Sequence, residues 1–370
     1  MNKFFLSLVF AALVAFGYYR WQSTHPTVET GAPATGSTAT SPAGSSTALK
    51  HTILTGYVGA SKMALLESNE QIRKILLERY GLEVHPIKKG GVEMVTTEPL
   101  DGIDFIWPAS QVEVEIYEQA GKPKVATETF FASPMVFYTW TKVLDQLTAK
   151  NYAYTEQGVY YMRTADLFKA ILAKKPWHEF DLSLTGPIKV SFSDPTKANS
   201  GLQYLILAGT VISDSEVLED VTKVMPQLKQ MVRQQGLMPA STGDIFRSYL
   251  QQGVGSMPIV AGYENQLIEF FLSNPEAAQA VQQSLRVVYP KPTLWSTHPI
   301  IAVTEKGRKL IRALQDKDIQ DQAWRAHGLR TLQATTDVTK VNVGSVLPAV
   351  ITNAINNPSS GVIKDLKAGL

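Results

Sequence analysis

The chain has 370 residues, more than one core usually organises, and 44% of them are apolar, so a bilobal body or two domains with a sizeable core is expected. Its 35 basic and 33 acidic residues leave a formal charge of +2 with no long basic run, which argues against a nucleic-acid partner. The absence of cysteine excludes disulfides, zinc–thiolate sites, thiol catalysis and a lipidated cysteine anchor.

Lys3 precedes an uncharged run, residues 4–19, broken only by Ser7 and Gly17, and Tyr18, Tyr19, Arg20 and Trp21 form an interfacial flank. Residues 1–21 are therefore expected to be an export signal, cleaved after Gly17 or kept as a signal anchor in the cytoplasmic membrane. Residues 22–49 are dominated by Ser, Thr, Gly, Ala and Pro, with Glu29 their only acidic, Lys or Arg residue, so they read as a flexible linker with a reach of roughly 30 Å. The folded body starts near Lys50 and is placed outside the cytoplasm.

Residues 52–58 read as a buried strand, and residues 63–80 as a helix with Leu65, Ile72, Leu76 and Tyr80 on one stripe and Gly81 at its end. Strands at 82–87 and 101–107 follow, the second running into Pro108, Ala109 and Ser110. This alternation predicts a mostly parallel α/β sheet, with ligand-facing loops beyond the carboxyl ends of the strands. A long apolar strand at 130–140, a helix at 164–174 and a strand at 187–192 come next. Ser200 is placed to cap a helix at 201–208. Helices at 214–234 and 244–252 precede a strand at 256–262 that delivers Tyr263, Glu264 and Asn265. A strand pair, 285–289 and 298–304, is joined by the turn Pro290, Lys291, Pro292, and the remainder from Lys306 is mainly helical.

Two strand-to-helix loops carry the chemistry. The first is Gly59, Ala60, Ser61, Lys62, and the second runs from Ser193 to Gly201 through Asp194, Thr196, Lys197, Asn199 and Ser200. A helix N-terminus leaves N–H groups unpaired and carries partial positive charge, so small residues there hold carboxylates and oxyanions, and a lysine in each loop adds to that bias. A phosphate-loop reading fails on spacing. Asp194 suits a turn that bonds its own backbone. Glu264 either receives a cationic group or favours a helix N-terminus. The six histidines are scattered without metal-ligand spacing. A hydrolase would need Ser61 or Ser200 beside a base such as His298, a pairing that no Gly-x-Ser-x-Gly or Ser-x-x-Lys signature selects.

The order of the first loop, then Phe131-Ala132-Ser133-Pro134-Met135-Val136, then Ser193-Asp194-Pro195-Thr196 with Ser200-Gly201, then Gly262-Tyr263-Glu264-Asn265, then Val288-Tyr289-Pro290 resembles type II periplasmic solute-binding proteins. The resemblance spans Lys50 to about Thr304. It implies a two-lobed α/β fold in which each lobe is a mostly parallel sheet flanked by helices and two crossover strands join the lobes. Residues 50–138 and 291–370 would form lobe I and residues 139–290 lobe II. It also implies a ligand held in the cleft by Ser61 with its neighbours Gly59, Ala60 and Lys62, and by Ser133, Thr196, Ser200 and Tyr263. Ser110, Lys197, Asn199, Gly201 and Glu264 complete the expected binding set, and no cofactor, metal or catalytic residue is expected.

The expected role is a monomeric binding protein that clamps a small anionic solute, an inorganic oxyanion or a carboxylate, for an ABC-type permease. A membrane-tethered ligand sensor or envelope-assembly receptor is the alternative, and a hydrolase or transferase on the same cleft a third. The peptide anchor and the tail beyond Lys306, with its apolar stretch at 341–357, depart from the family pattern.

Overall fold

Residues 130–140 are apolar without alternation, a pattern that demands cover on both faces, and the whole architecture is organised around the strand they form. The computed structural model describes residues 50–332 and 336–370. The expected export signal and linker lie outside the described residues. Among the described residues no helix is long and apolar enough to cross a membrane.

The chain runs through β1 (Thr52–Val58), α1 (Ala60–Met63), α2 (Glu70–Tyr80), β2 (Leu82–Lys88), α3 (Gly91–Thr96), β3 (Phe105–Trp107), α4 (Gln111–Gln119) and β4 (Ala126–Trp140). There follow α5 (Thr141–Ala149), β5 (Ala153–Glu156), β6 (Val159–Arg163), α6 (Thr164–Leu172), α7 (Asn199–Ile212), α8 (Met225–Arg233) and α9 (Thr242–Gln252). Next come β7 (Ile259–Tyr263), α10 (Glu264–Ser273), α11 (Pro275–Gln282), β8 (Leu285–Lys291) and β9 (Thr293–Ala302). The tail holds α12 (Glu305–Ala313), α13 (Lys317–His327), β10 (Arg330–Thr331), β11 (Ala354–Ile355) and α14 (Ser360–Gly369).

β4 belongs to both lobes. Its first part, through Pro134, pairs with β9, which continues the first lobe through β3 to the parallel strands β1 and β2. From Met135 onward it pairs instead with β7 and β8, and β8 leads to parallel β6 and then β5. The second crossing is the passage from β8 into β9. The proposed hairpin of residues 285–289 with 298–304 does not form: both strands pair with β4 rather than with each other, because the proline-bearing segment carries the chain from one lobe to the other.

The first helix differs from expectation for a local reason. Residues 63–80 are interrupted by a π-helical turn, Ala64–Ser68, and Asn69 starts a new helix by accepting the Ile72 N–H at 3.0 Å. Of residues 214–234 only α8 is helical, since Asp220 accepts the Thr222 N–H in a side-chain turn and Pro226 opens the helix. The expected strand at 187–192 is extended but forms only isolated bridges, one of them Ser191 to Val260. α7 is longer than expected and buried along most of its length, which makes it a core helix of the second lobe.

Two cores of the first lobe are built on Leu54, Phe105, Trp107, Phe131 and Leu310 and on Tyr57, Met94, Ile106 and Tyr117. The larger core of the second lobe holds Phe137, Tyr138, Tyr204, Phe246 and Tyr289, and the tail contributes Val341, Val343, Leu347, Ile363 and Leu366 to it.

Candidate functional site

The carboxyl ends of β1 and β3 and the crossover strand β9 converge on a buried polar cluster. Gly59 ends β1 and its carbonyl accepts the N–H groups of Lys62 and Met63, so the first loop is the first turn of α1. This turn throws the Lys62 side chain inward, where it is only 1% exposed. Its ammonium donates to His298 Nδ1 at 3.1 Å, the one hydrogen bond it makes among the described residues. Burial pulls the Lys62 pKa down from 10.5 to about 8, partly offset by the carboxylate of Glu113, with which it forms no ion pair.

His298 is equally buried. Burial first, and Lys62 second, hold its pKa well below 6.5, so the ring is neutral. With Nδ1 accepting from Lys62, the ring proton sits on Nε2, and that buried atom has no hydrogen-bond partner among the described residues. A cation and an N–H donor therefore stand together, both desolvated and neither saturated. The His298 carbonyl accepts from Trp107 Nε1 at 2.8 Å, which fixes the strand against β3.

The second part of the cluster is set at the start of α4. Ser110 N–H and Oγ, and the Ala109 N–H, all donate to Glu113 Oε2. The sequence Ser-x-x-Glu at 110–113 is a capping-box signature, so this carboxylate was legible as a helix cap though not as a site residue. Ser296, two residues before His298 on β9, donates to the Ala109 carbonyl at 2.9 Å.

From the second lobe, Tyr263 at the end of β7 donates its hydroxyl to Gln203 Oε1 at 2.8 Å and accepts from Asn199 Nδ2 at 3.2 Å. Burial and the Glu113 charge push the Tyr263 pKa up, while Ser296 and Asn199 oppose the rise. The arrangement brings Lys62, Ser110, Asn199 and Tyr263 of the sequence-derived set to one place. It adds Glu113, Gln203, Ser296 and His298. Ser61 is half-buried on the same turn as Lys62.

The other sequence-derived residues are engaged elsewhere. Ser133 accepts the Asn265 N–H at 3.0 Å and so ties β4 to α10. Ser200 lies inside α7 rather than capping it: its hydroxyl shares hydrogen bonds with Ser193 at 2.7 Å and Thr242 at 2.8 Å. Thr196 is exposed and donates its N–H and hydroxyl to Asp194, and exposed Lys197 forms an ion pair with the same carboxylate. Asp194 thus bonds its own loop, as a turn former does. Glu264 spends both oxygens on Arg330 and also accepts from the Tyr289 hydroxyl. Neither Ser61 nor Ser200 is bonded to His298, whose accepting nitrogen is taken by Lys62.

Gly201 is required by packing, because a Cβ there would overlap the Ser193 carbonyl. Gly201→Ala is expected to cost about 1–3 kcal/mol in denaturant unfolding as the loop and α7 are pushed apart. A cost below half a kcal/mol would show that the loop yields freely.

No family model and no curated protein matches the chain in sequence. Solved structures do. A periplasmic thiamin binding protein superposes with a TM-score of 0.57 at 12% identity, covering 90% of this chain and 98% of its own. The apo ferric ion-binding protein A of Pasteurella haemolytica gives 0.52 at 14% identity, over 86% of this chain and 94% of its own. Iron-bound HitA from Pseudomonas aeruginosa gives 0.51 at 11% identity, over 85% and 98%. The chain has the two-lobed type II periplasmic-binding fold. In that fold the polar cluster lies where strands of both lobes meet beside the crossover.

Proposed function

We propose that this protein is an extracytoplasmic solute-binding protein, without catalytic activity, that holds a small anionic solute between its lobes and presents it to an ABC-type permease. The observation that carries the reading is Lys62: a desolvated ammonium whose only hydrogen-bond partner among the described residues is a neutral imidazole, beside that imidazole's N–H, which has none among them. A buried charge without a counter-ion costs several kcal/mol. A solute carrying oxyanion or carboxylate oxygens would satisfy both donors.

Two of the similar structures are of iron-binding proteins. A cationic cargo is disfavoured in this chain, since the buried group on the first loop is itself a cation. Ser61 and the α1 N-terminus would complete the first-lobe side, and Tyr263 and Asn199 the second-lobe side, with lobe closure excluding water. The closed, occupied form would be what the permease recognises.

Thermal unfolding of the full chain against sulfate, phosphate, molybdate and small carboxylates tests this. A bound ligand at a hundred times its Kd adds about 2.7 kcal/mol of stability. A rise with one anion class, lost in Lys62→Met, is expected. A rise only with neutral or cationic solutes would refute the anionic reading.

A further inference from the structure

α14 is not needed to complete either sheet, yet it is fastened to both lobes. At its start the Ser360 N–H donates to Glu115 Oε2 at 3.0 Å, and Ser360 Oγ accepts from Gln119 Nε2 at 2.6 Å, so it lies on α4 of the first lobe. Toward its end Lys367 is half-buried, and burial pulls its pKa down, partly offset by the Glu113 charge of α4. Ile363 and Leu366 join the core of the second lobe, and Val112 of α4 joins them there. The last turn abuts α8 of the second lobe, where a Cβ on Gly369 would overlap the Met225 side chain.

Two-lobed binding folds admit solute by hinge rotation about the crossover strands. An element attached to both lobes resists that rotation unless one attachment breaks. The Ser360 end is held by hydrogen bonds to two side chains of α4, whereas the Gly369 end meets α8 through side-chain packing. Buried Ile363 and Leu366 add to the second-lobe side, so the strap is held on both sides, by hydrogen bonds on one and by apolar packing on the other.

We propose that α14 is a strap that holds the two lobes together and gives way at one of its two attachments when they open. Its role in solute exchange rests on the solute-binding reading above, but its restraint on the lobes does not.

The cysteine-free chain permits a clean test without any ligand. Lys74→Cys on α2 and Lys169→Cys on α6, at side chains 70% and 80% exposed, take one spin label in each lobe of the full-length protein. Pulsed electron resonance then reads the interlobe distance with and without Gly369→Leu, which crowds the Met225 side chain and leaves the strap's bonds to α4 in place. The expected result is a single narrow distance in the parent and a second, displaced population in the variant. Hydrogen exchange of residues 360–369 reports whether the strap has moved. If Gly369→Leu leaves it protected, Leu366→Asp, which places a carboxylate at a fully buried position, is used instead. An unchanged distance distribution with a freed strap would overturn the proposal. Failure of every anion to bind would count against the solute reading alone.

Discussion

Replacing Lys62 with methionine stabilises the ligand-free protein by about 1–3 kcal/mol at pH 7 and removes its response to anions. The sign follows from what Lys62 lacks. It is fully desolvated and its one hydrogen bond is to a neutral ring, so the folded state carries a penalty that the unfolded state does not. Methionine fills similar space without charge, and replacing a poorly compensated buried charge by an apolar side chain is often neutral or stabilising by about 1–4 kcal/mol. A residue kept purely for stability would give the opposite result. Denaturant unfolding at constant m decides it: a loss of more than 1 kcal/mol in Lys62→Met would mean that the ammonium supports the fold rather than a ligand.

The same residue sets a pH dependence. The folded pKa, about 8, lies below the unfolded 10.5, so the unfolded chain binds the proton more tightly. Stability then rises as pH increases from about 8 to 10.5, because the penalty is complete below the folded pKa and gone above the unfolded one. The span corresponds to roughly 3 kcal/mol. Lys62→Met flattens this rise. A bound anion acts in the reverse direction, favouring the protonated lysine, so anion affinity falls by up to about tenfold per pH unit above pH 8. His298 adds a separate limb: its folded pKa is held well below 6.5, so native stability declines as pH drops below 6.5.

Much of the frame was legible because it depends on local patterns. β1 and the core of β4 are mainly apolar runs, β2 alternates apolar with polar residues, and Gly81, with φ of +64°, ends α2 where a left-handed residue is required. The lobe crossing was implied by the family resemblance, but strand partners were not legible: β8 and β9 are neighbours in sequence and both choose β4, a preference set by tertiary packing. In the site, the first loop was visible as a strand-to-helix turn carrying Lys62, and Ser110 as a residue of the loop after β3. His298 was visible only as one of six histidines, since its meaning comes from a contact across 236 positions. In the second loop Asn199 reaches Tyr263, whereas the hydroxyls of Ser193, Thr196 and Ser200 bond one another, Asp194 and Thr242, a self-sufficient arrangement with the same composition as a ligand cradle.

Arg330→Met and Glu264→Gln, made singly, are each expected to destabilise the protein by about 3–5 kcal/mol, while the pair Arg330→Met with Glu264→Leu recovers most of the loss. Glu264, at the start of α10, receives Arg330 Nε and Nη2 at 2.7 and 2.8 Å in a bidentate pair, and Tyr289 of β8 donates to the same carboxylate. Both charged side chains are nearly inaccessible, so removing one leaves the other buried and unpaired, which is where the cost arises. Arg330 also holds the carbonyls of Pro348 and Ala349, and its guanidinium lies 5.6 Å from the Trp324 ring. One side chain thus joins β10, which pairs with β4 in the first lobe, to α10 and to the tail. Arg330→Met should therefore also speed hydrogen exchange in residues 346–353, whereas Glu264→Gln should do so less. Comparing Arg330→Met and Glu264→Leu, each made singly, with the double in denaturant unfolding isolates the coupling. Additive losses would show that the two charges act independently, and the reading of Glu264 as a structural anchor rather than a solute contact would fail with it.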